Sequence, residues 1–123
     1  MITINNNSGE LHFSNWTLSP KTKLNDIKKI FSSKELELWG YSSDQCVTYR
    51  LKISDEYILI VTFLSDAINR IEIYPRNIAE DKMPFVLRDI LENLGGARIY
   101  PWGKIQLKND VKAGYDSVLI SYH

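Results

Sequence analysis

The chain has 123 residues, a length that fits one domain with a single hydrophobic core. Hydrophobic residues make up 44% of the chain and charged residues 24%, a composition that is typical of globular proteins and unlike that of disordered ones. The 15 basic residues balance the 15 acidic ones, so the sequence lacks the basic excess that most nucleic-acid-binding proteins carry.

The N-terminus and the single cysteine indicate the compartment. The first residues, Met1 to Asn7, contain no basic segment followed by an apolar one, so we expect no signal peptide. The most apolar stretch, Tyr57 to Leu64, is far shorter than the roughly 20 residues that a membrane-spanning helix needs. Cys46 is the only cysteine and cannot form an internal disulfide. We therefore expect a cytoplasmic protein without a membrane segment.

The first predicted elements are a short strand and a helix. Leu11 and Phe13 alternate with a histidine, which indicates a strand. Thr22 is the predicted N-terminal cap of a helix that extends to about Ser32. The apolar residues of that helix recur at intervals of three and four and form one stripe: Leu24, Ile27, Ile30 and Phe31.

Three strands are predicted next. The segment from Cys46 to Ile53 alternates between apolar residues and Thr48, Arg50 and Lys52, which indicates a half-buried strand with two different faces. A turn at residues 54–56 leads to an apolar strand from Tyr57 to Phe63, and a third strand ends at Tyr74-Pro75.

The C-terminal half predicts a second helix and two further strands. Asp81 can cap a helix whose apolar residues are Met83, Val86, Leu87, Ile90, Leu91 and Leu94. Gly95-Gly96 ends it, and strands are predicted around Ala97 to Leu107 and Tyr115 to Tyr122, joined by a loop from Asn109 to Gly114. Two helices among hairpin-connected strands predict one α+β domain spanning residues 1–123, with an antiparallel sheet of about five to seven short strands and both helices packed on one face.

The residues offer no strong catalytic pattern. The two histidines, His12 and His123, do not lie near Cys46 in the sequence, and no cysteine or histidine pair has the spacing of a metal site. We expect no cofactor. An enzyme remains an alternative only through carboxylate pairs drawn from four residues: Asp66, Glu72, Asp110 and Asp116.

Aromatic residues are the most distinctive group. Two Trp-Gly pairs occur, at Trp39-Gly40 and Trp102-Gly103, and tryptophan and tyrosine are enriched at the energetic centres of protein interfaces. The acidic residues Glu35, Glu37 and Asp44 surround the first pair, and such a rim would suit a basic partner such as a nuclease. The candidate partner-binding residues are Glu35, Glu37, Trp39, Tyr41, Asp44, Tyr100, Trp102, Lys104 and Asp110.

The C-terminal stretch resembles a known class of proteins. It reads Gly95-Gly96-Ala97-Arg98-Ile99-Tyr100-Pro101-Trp102-Gly103-Lys104-Ile105, followed by Asp110, Gly114 and Val118 to Tyr122. With the compact α+β pattern, it is similar to the small immunity proteins of bacterial polymorphic toxin systems, of which contact-dependent growth inhibition systems are the best known. The resemblance implies a cytoplasmic inhibitor that binds a cognate toxin domain, often a nuclease.

Two other classes of function stay open at this point. One is a non-catalytic adaptor or structural subunit, which would bind several partners weakly. The other is the carboxylate-dependent hydrolase. The resemblance favours an immunity protein that binds and neutralises a toxin. The balanced charge and the lack of a long apolar stretch argue against nucleic acid and membrane as its partners.

Overall fold

A computed structural model of the chain describes residues 2–13, 15–32, 34–40, 43, 45–110 and 115–123, without the side chains of Asp110 and Tyr115. No helix in this part of the chain is both long enough and apolar enough to cross a membrane.

A seven-stranded antiparallel sheet forms the main layer. Its order is β4-β5-β6-β7-β10-β9-β8, so successive strands are neighbours in the sheet except for β7 and β8, which α2 separates in the chain and between which β10 and β9 lie. The strands are β4 (Leu36–Leu38), β5 (Cys46–Lys52), β6 (Tyr57–Leu64), β7 (Ala67–Pro75), β8 (Arg98–Tyr100), β9 (Gly103–Asp110) and β10 (Tyr115–Tyr122).

A smaller sheet and two helices complete the fold. The small antiparallel sheet has the order β1-β2-β3, with β1 at Ile2–Ile4, β2 at Leu11–Phe13 and β3 at Trp16–Leu18. Helix α1 spans Leu24–Ile30, and α2 spans Met83–Asn93 after a 3-10 turn at Glu80–Lys82.

The core lies between the large sheet and these added elements. Successive strand residues point to opposite faces, and the odd-numbered residues of β5 and β6 point inward. Leu51, Leu59 and Val61 are fully buried there, together with Ile27 of α1 and Leu87 of α2. We call this side of the large sheet the inner face.

Local turn chemistry explains where several elements begin and end. Ser65 and Asp66 have φ values of 51° and 70°, as a two-residue hairpin turn requires, and they join β6 to β7. Asp66 also accepts a hydrogen bond of 3.4 Å from the backbone N–H of Leu24, which attaches the start of α1 to this turn. Gly95 and Gly96 have φ values of 91° and 98° and end α2, as predicted.

The predicted fold class is confirmed, with corrections at several boundaries. Thr22 does not cap α1, because its hydroxyl accepts the N–H of Ser19 and Asp26 instead accepts the N–H of Lys23. Asp81 lies within the 3-10 turn and does not cap α2, whose N-cap is Lys82.

The strand predicted around residues 97–107 is a hairpin of two strands, β8 and β9. The segment turns at Pro101-Trp102, where the backbone reverses to pair Tyr100 with Gly103. Asn109 belongs to β9 and pairs with Asp116, so the strand extends into the segment predicted as a loop. Propensity along one sequence predicts extended backbone but not the point at which the chain folds back on itself.

Candidate partner-binding surface

The large sheet has a second face, which we call the open face. None of its side chains belongs to the hydrophobic core described above. Thr48, Arg50 and Lys52 of β5 lie on it, as their alternation with core residues predicted. It also carries Ile58, Ile60 and Thr62 of β6, Arg70, Glu72 and Tyr74 of β7, Ser117, Leu119 and Ser121 of β10, Lys104, Gln106 and Lys108 of β9, with Glu37, Trp39 and Ile99 at its two ends.

The strand register aligns these residues in rows across the sheet. One row runs from Glu37 through Arg50, Ile60, Glu72 and Leu119, and ends at Gln106 on β9. The hydroxyls of Thr48 and Thr62 lie 3.2 Å apart in the next row, which confirms that these strands present them on the same side. The open face is therefore a continuous surface that spans the sheet.

A buried carboxylate occupies the middle of the open face. Glu72 is only 4% exposed, yet it belongs to no part of the apolar core. Its Oε2 accepts a hydrogen bond of 2.6 Å from the hydroxyl of Tyr74 and one of 3.2 Å from Nζ of Lys108. Nε of Arg70 lies 3.6 Å from its Oε1. These partners compensate for the loss of water around the charge, which makes its burial possible.

Trp39 forms an exposed aromatic corner next to the edge strand β4. Its side chain is 47% exposed, and its backbone N–H donates to the carbonyl of Thr48. The guanidinium of Arg50 lies over the indole ring, 5.6 Å from the centroid, and Nη1 of Arg50 lies 3.4 Å from Oε2 of Glu37. Aromatic stacking and the ion pair together hold Arg50 between the two side chains.

Glu35 has a local structural role. Its Oε1 accepts hydrogen bonds of 3.1 Å from the N–H of Ser32 and 2.8 Å from the hydroxyl of Ser32. These bonds stabilise the charged form and lower the pKa of the Glu35 carboxyl below its ordinary value. The carboxylate thus closes the turn that follows α1.

Tyr100 and Trp102 lie in the core, at 5% and 9% exposure, although the sequence placed them among the partner-binding candidates. Their rings stack with centroids 5.1 Å apart. The indole N–H of Trp102 donates to the carbonyl of Asn6 at 3.0 Å, and the hydroxyl of Tyr100 donates to the carbonyl of Gly96 at 2.8 Å. Trp102 therefore attaches the β8–β9 hairpin to the N-terminal segment and Tyr100 attaches it to the end of α2, so neither ring belongs to an exposed binding surface.

The remaining candidates fall into two groups. Lys104 is exposed on the open face, five strand intervals from Glu37, or about 24 Å across the sheet. Tyr41, Asp44 and the side chain of Asp110 lie outside the described residues. Of the nine candidates, the structure brings Glu37 and Trp39 together at one end of the open face and places Lys104 near the other.

The carboxylates of the enzyme alternative do not pair where they are described. Asp66 lies at the turn before β7 and binds the start of α1, whereas Glu72 lies six residues further along the chain. Asp116 is adjacent to Ser117 of the open face, so the alternation of β10 directs it to the inner side, opposite Glu72. Within the described part of the chain, no group of three or more histidine, cysteine, aspartate or glutamate residues could hold a metal ion.

Sequence reasoning missed three residues of the open face: Arg70, Glu72 as a buried anchor, and Lys108. Glu72 and Lys108 are 36 residues apart and come together only because β10 and β9 follow β7 in the sheet. The alternation of Arg70 and Glu72 with Ile71 and Ile73 in β7 is the one sequence signal that places them on a shared face.

Comparison with known proteins adds a likeness of fold. No protein-family model matches the sequence, and no curated protein matches it. The structure superposes on a chain of the solved structure "Rhs1-CT in complex with cognate immunity protein RhsI1" with a TM-score of 0.67. The alignment covers 100% of this chain and 88% of that chain, at 19% sequence identity. This chain shares its fold with a chain of a toxin–immunity complex.

Proposed function

We propose that this chain is the immunity protein of a polymorphic toxin pair and that it binds and neutralises a cognate toxin domain in the cytoplasm. The likeness over the whole chain to a chain of a toxin–immunity complex is the observation that carries the proposal. Contact-dependent delivery of the toxin, and nuclease activity of the toxin, are the finer parts of this proposal. They stem from the resemblance of the C-terminal stretch.

The geometry supports binding more than catalysis. The open face is a broad sheet surface with an exposed aromatic corner, and Glu72, the most buried of its carboxylates, is engaged by three neighbouring side chains. A protein inhibitor needs a rigid surface of this kind and a few large anchors that lose water on binding. We propose that Glu37, Trp39 and Lys104 lie in the toxin-binding surface.

A co-expression experiment tests the proposed function. The toxin domain encoded beside this gene is placed under an inducible promoter in a bacterial host, with or without this chain. We expect the toxin alone to stop growth and this chain to restore it, and the purified pair to elute as one stoichiometric complex. Growth arrest that this chain does not relieve would contradict the proposal.

The matched control is a toxin domain from an unrelated system in the same host. An immunity protein protects only against its cognate toxin, because specificity is a difference between two binding free energies. Protection against both toxins, with weak binding to each, would favour the adaptor alternative instead.

A further inference from the structure

Resting on the immunity function proposed above, we propose that the open face docks an acidic surface of the toxin domain. Arg70 and Lys108 are its central contacts, and Glu72 holds both of them in place. This polarity is the reverse of the acidic rim that the sequence around Trp39 predicted.

The open face has apolar residues outside the core cluster. Ile58 and Ile60 of β6 are partly exposed there, whereas Leu119 of β10 is only 7% exposed. At the two ends of the face, Trp39 is 47% and Ile99 is 81% exposed. Exposed apolar and aromatic side chains surrounded by polar ones are typical of protein-binding surfaces.

The charge on this face differs from that of the whole chain. Its described side chains include five basic residues, Arg50, Lys52, Arg70, Lys104 and Lys108, and two acidic ones, Glu37 and Glu72. The described side chains of this face thus have a net charge of +3, in a chain whose 15 basic and 15 acidic residues cancel. Complementary potential across an interface favours an acidic partner surface.

Two of the acidic candidates next to Trp39, Glu35 and Glu37, have neighbouring partners, although the Glu37 side chain is 61% exposed. Oε2 of Glu37 lies 3.4 Å from Nη1 of Arg50, and the carboxylate of Glu35 accepts two hydrogen bonds from Ser32. Glu37 therefore orients Arg50 against Trp39. A basic partner would have to compete with Arg50 for that carboxylate.

Glu72 prepares the two central cations for binding. One Nζ contact of 3.2 Å and one Nε contact of 3.6 Å fix the ends of Lys108 and Arg70. Their side chains remain 32% and 44% exposed, and each keeps further N–H donors, since an ammonium has three and a guanidinium five. Partner carboxylates would thus meet cations whose rotamers are already restricted, which lowers the entropic cost of binding.

A protein partner fits these charges better than a nucleic acid. Two carboxylates lie within the face, one of them at its centre, and each would repel a phosphate backbone. Nucleic-acid interfaces are much more basic than this face. The spaced pattern of charges and apolar residues suits the mixed surface of a folded protein.

The test compares association rates for three variants with the toxin domain encoded beside this gene. The first is the double charge reversal Lys52→Glu with Lys104→Glu, at two exposed positions where the fold should tolerate the change. The matched control, Lys21→Glu with Lys28→Glu, makes the same change in total charge near and on α1, which packs on the inner side. The third variant, Glu37→Lys, makes the open face more basic. Rates are measured at about 50 mM and 300 mM NaCl, because salt screens steering between exposed charges.

We expect the open-face double reversal to slow association about tenfold or more at low salt and the control to change it less than twofold. Glu37→Lys should leave the rate unchanged or raise it, whereas the rate would fall if an acidic rim of this chain bound a basic surface of the toxin. Equal rates for the two double variants, or slower association of Glu37→Lys, would overturn the inference while the immunity function stands.

Two further outcomes separate the inference from the function on which it rests. If the wild-type chain does not bind the toxin domain at all, the proposed function itself fails. If the wild-type chain binds single-stranded RNA or DNA oligonucleotides at about 50 mM NaCl and the open-face double reversal abolishes that binding, the face binds a nucleic acid and the proposed protein partner is wrong.

Arg70→Gln retains hydrogen-bonding capacity without charge and tests the central contact. We expect it to raise Kd for the toxin domain at least tenfold.

Discussion

Nζ of Lys108 on β9 lies 3.2 Å from Oε2 of Glu72 on β7, although β10 separates the two strands. Two strand intervals correspond to about 10 Å between backbones, so the long lysine side chain extends over β10 to reach the carboxylate. The contact binds three strands of the open face together through side chains in addition to their backbone hydrogen bonds.

The first prediction concerns this anchor. Glu72→Gln keeps the shape but removes the charge that receives Lys108, Arg70 and the Tyr74 hydroxyl. We expect a loss of about 1–2 kcal/mol in the free energy of unfolding, because hydrogen bonds to a buried charged group are stronger than neutral ones while exposed ion pairs add little. Urea unfolding at neutral pH measures it. An unchanged midpoint would show that the interactions of the Glu72 carboxylate only offset the free-energy cost of removing it from water.

The second prediction concerns Gly9, which has φ of 77° and lies against the Trp102 ring. A Cβ at this position would lie 2.6 Å from the ring, so Gly9→Ala combines backbone strain with a steric clash. We expect a loss of about 2–4 kcal/mol in the free energy of unfolding.

Gly40→Ala is the matched control for that change. Gly40 has φ of 68°, but no atom of the described residues lies within 4 Å of its added Cβ. It therefore suffers the strain alone, about 1 kcal/mol. Equal losses for the two variants would mean that the tryptophan ring moves aside without cost.

The third prediction concerns the pH dependence of stability through Tyr122. Its hydroxyl donates to the carbonyl of Gly9 at 2.7 Å, and burial raises the pKa of this phenol above its ordinary value. Because the folded protein favours the protonated form, the contribution is complete below about pH 10 and is lost as pH rises beyond that value. Tyr122→Phe should therefore reduce the alkaline loss of stability. Chemical unfolding between pH 8 and about 11 measures the difference, and parallel curves for the two proteins would contradict the prediction.

The fourth prediction concerns the exposed corner. Trp39→Ala should raise Kd for the toxin domain by about 30-fold or more, as expected for a tryptophan that becomes buried at an interface. Its effect on stability should be small, because the ring is 47% exposed. Phe85→Ala on α2, where the ring is 62% exposed, is the control and should leave Kd unchanged. Calorimetric titration of the three proteins distinguishes the two sites.

The fifth prediction concerns the carboxyl of Glu35. Ser32→Ala removes the hydroxyl that donates to it at 2.8 Å, so the pKa of Glu35 should rise toward its ordinary value. The stabilisation that this pair provides is present above the unfolded pKa of about 4.3 and is lost as pH falls through the lower folded value. A carboxyl titration by NMR measures the pKa directly, and an unchanged value in the variant would assign the shift to the backbone N–H of Ser32 alone.

The sequence by itself determined helix α2 and the faces of the long central strands. Alternation placed Thr48, Arg50 and Lys52 on the side of β5 opposite its core residues, because adjacent strand residues point in opposite directions. The apolar spacing of α2 and the pair Gly95-Gly96 likewise predicted that helix and its end, since both depend on local geometry. The fold itself is shared with a chain of a solved toxin–immunity complex.

Only the tertiary structure decided which exposed residues act together. Trp102 is buried and its indole N–H donates to Asn6, 96 residues away, and composition alone cannot distinguish such a ring from the exposed Trp39. The insertion of β10 between β7 and β9 brought Lys108 to Glu72 and made the open face basic, although the chain as a whole is neutral. Strand order is set by the packing of the whole sheet, and contacts between distant segments leave no periodic trace in the sequence.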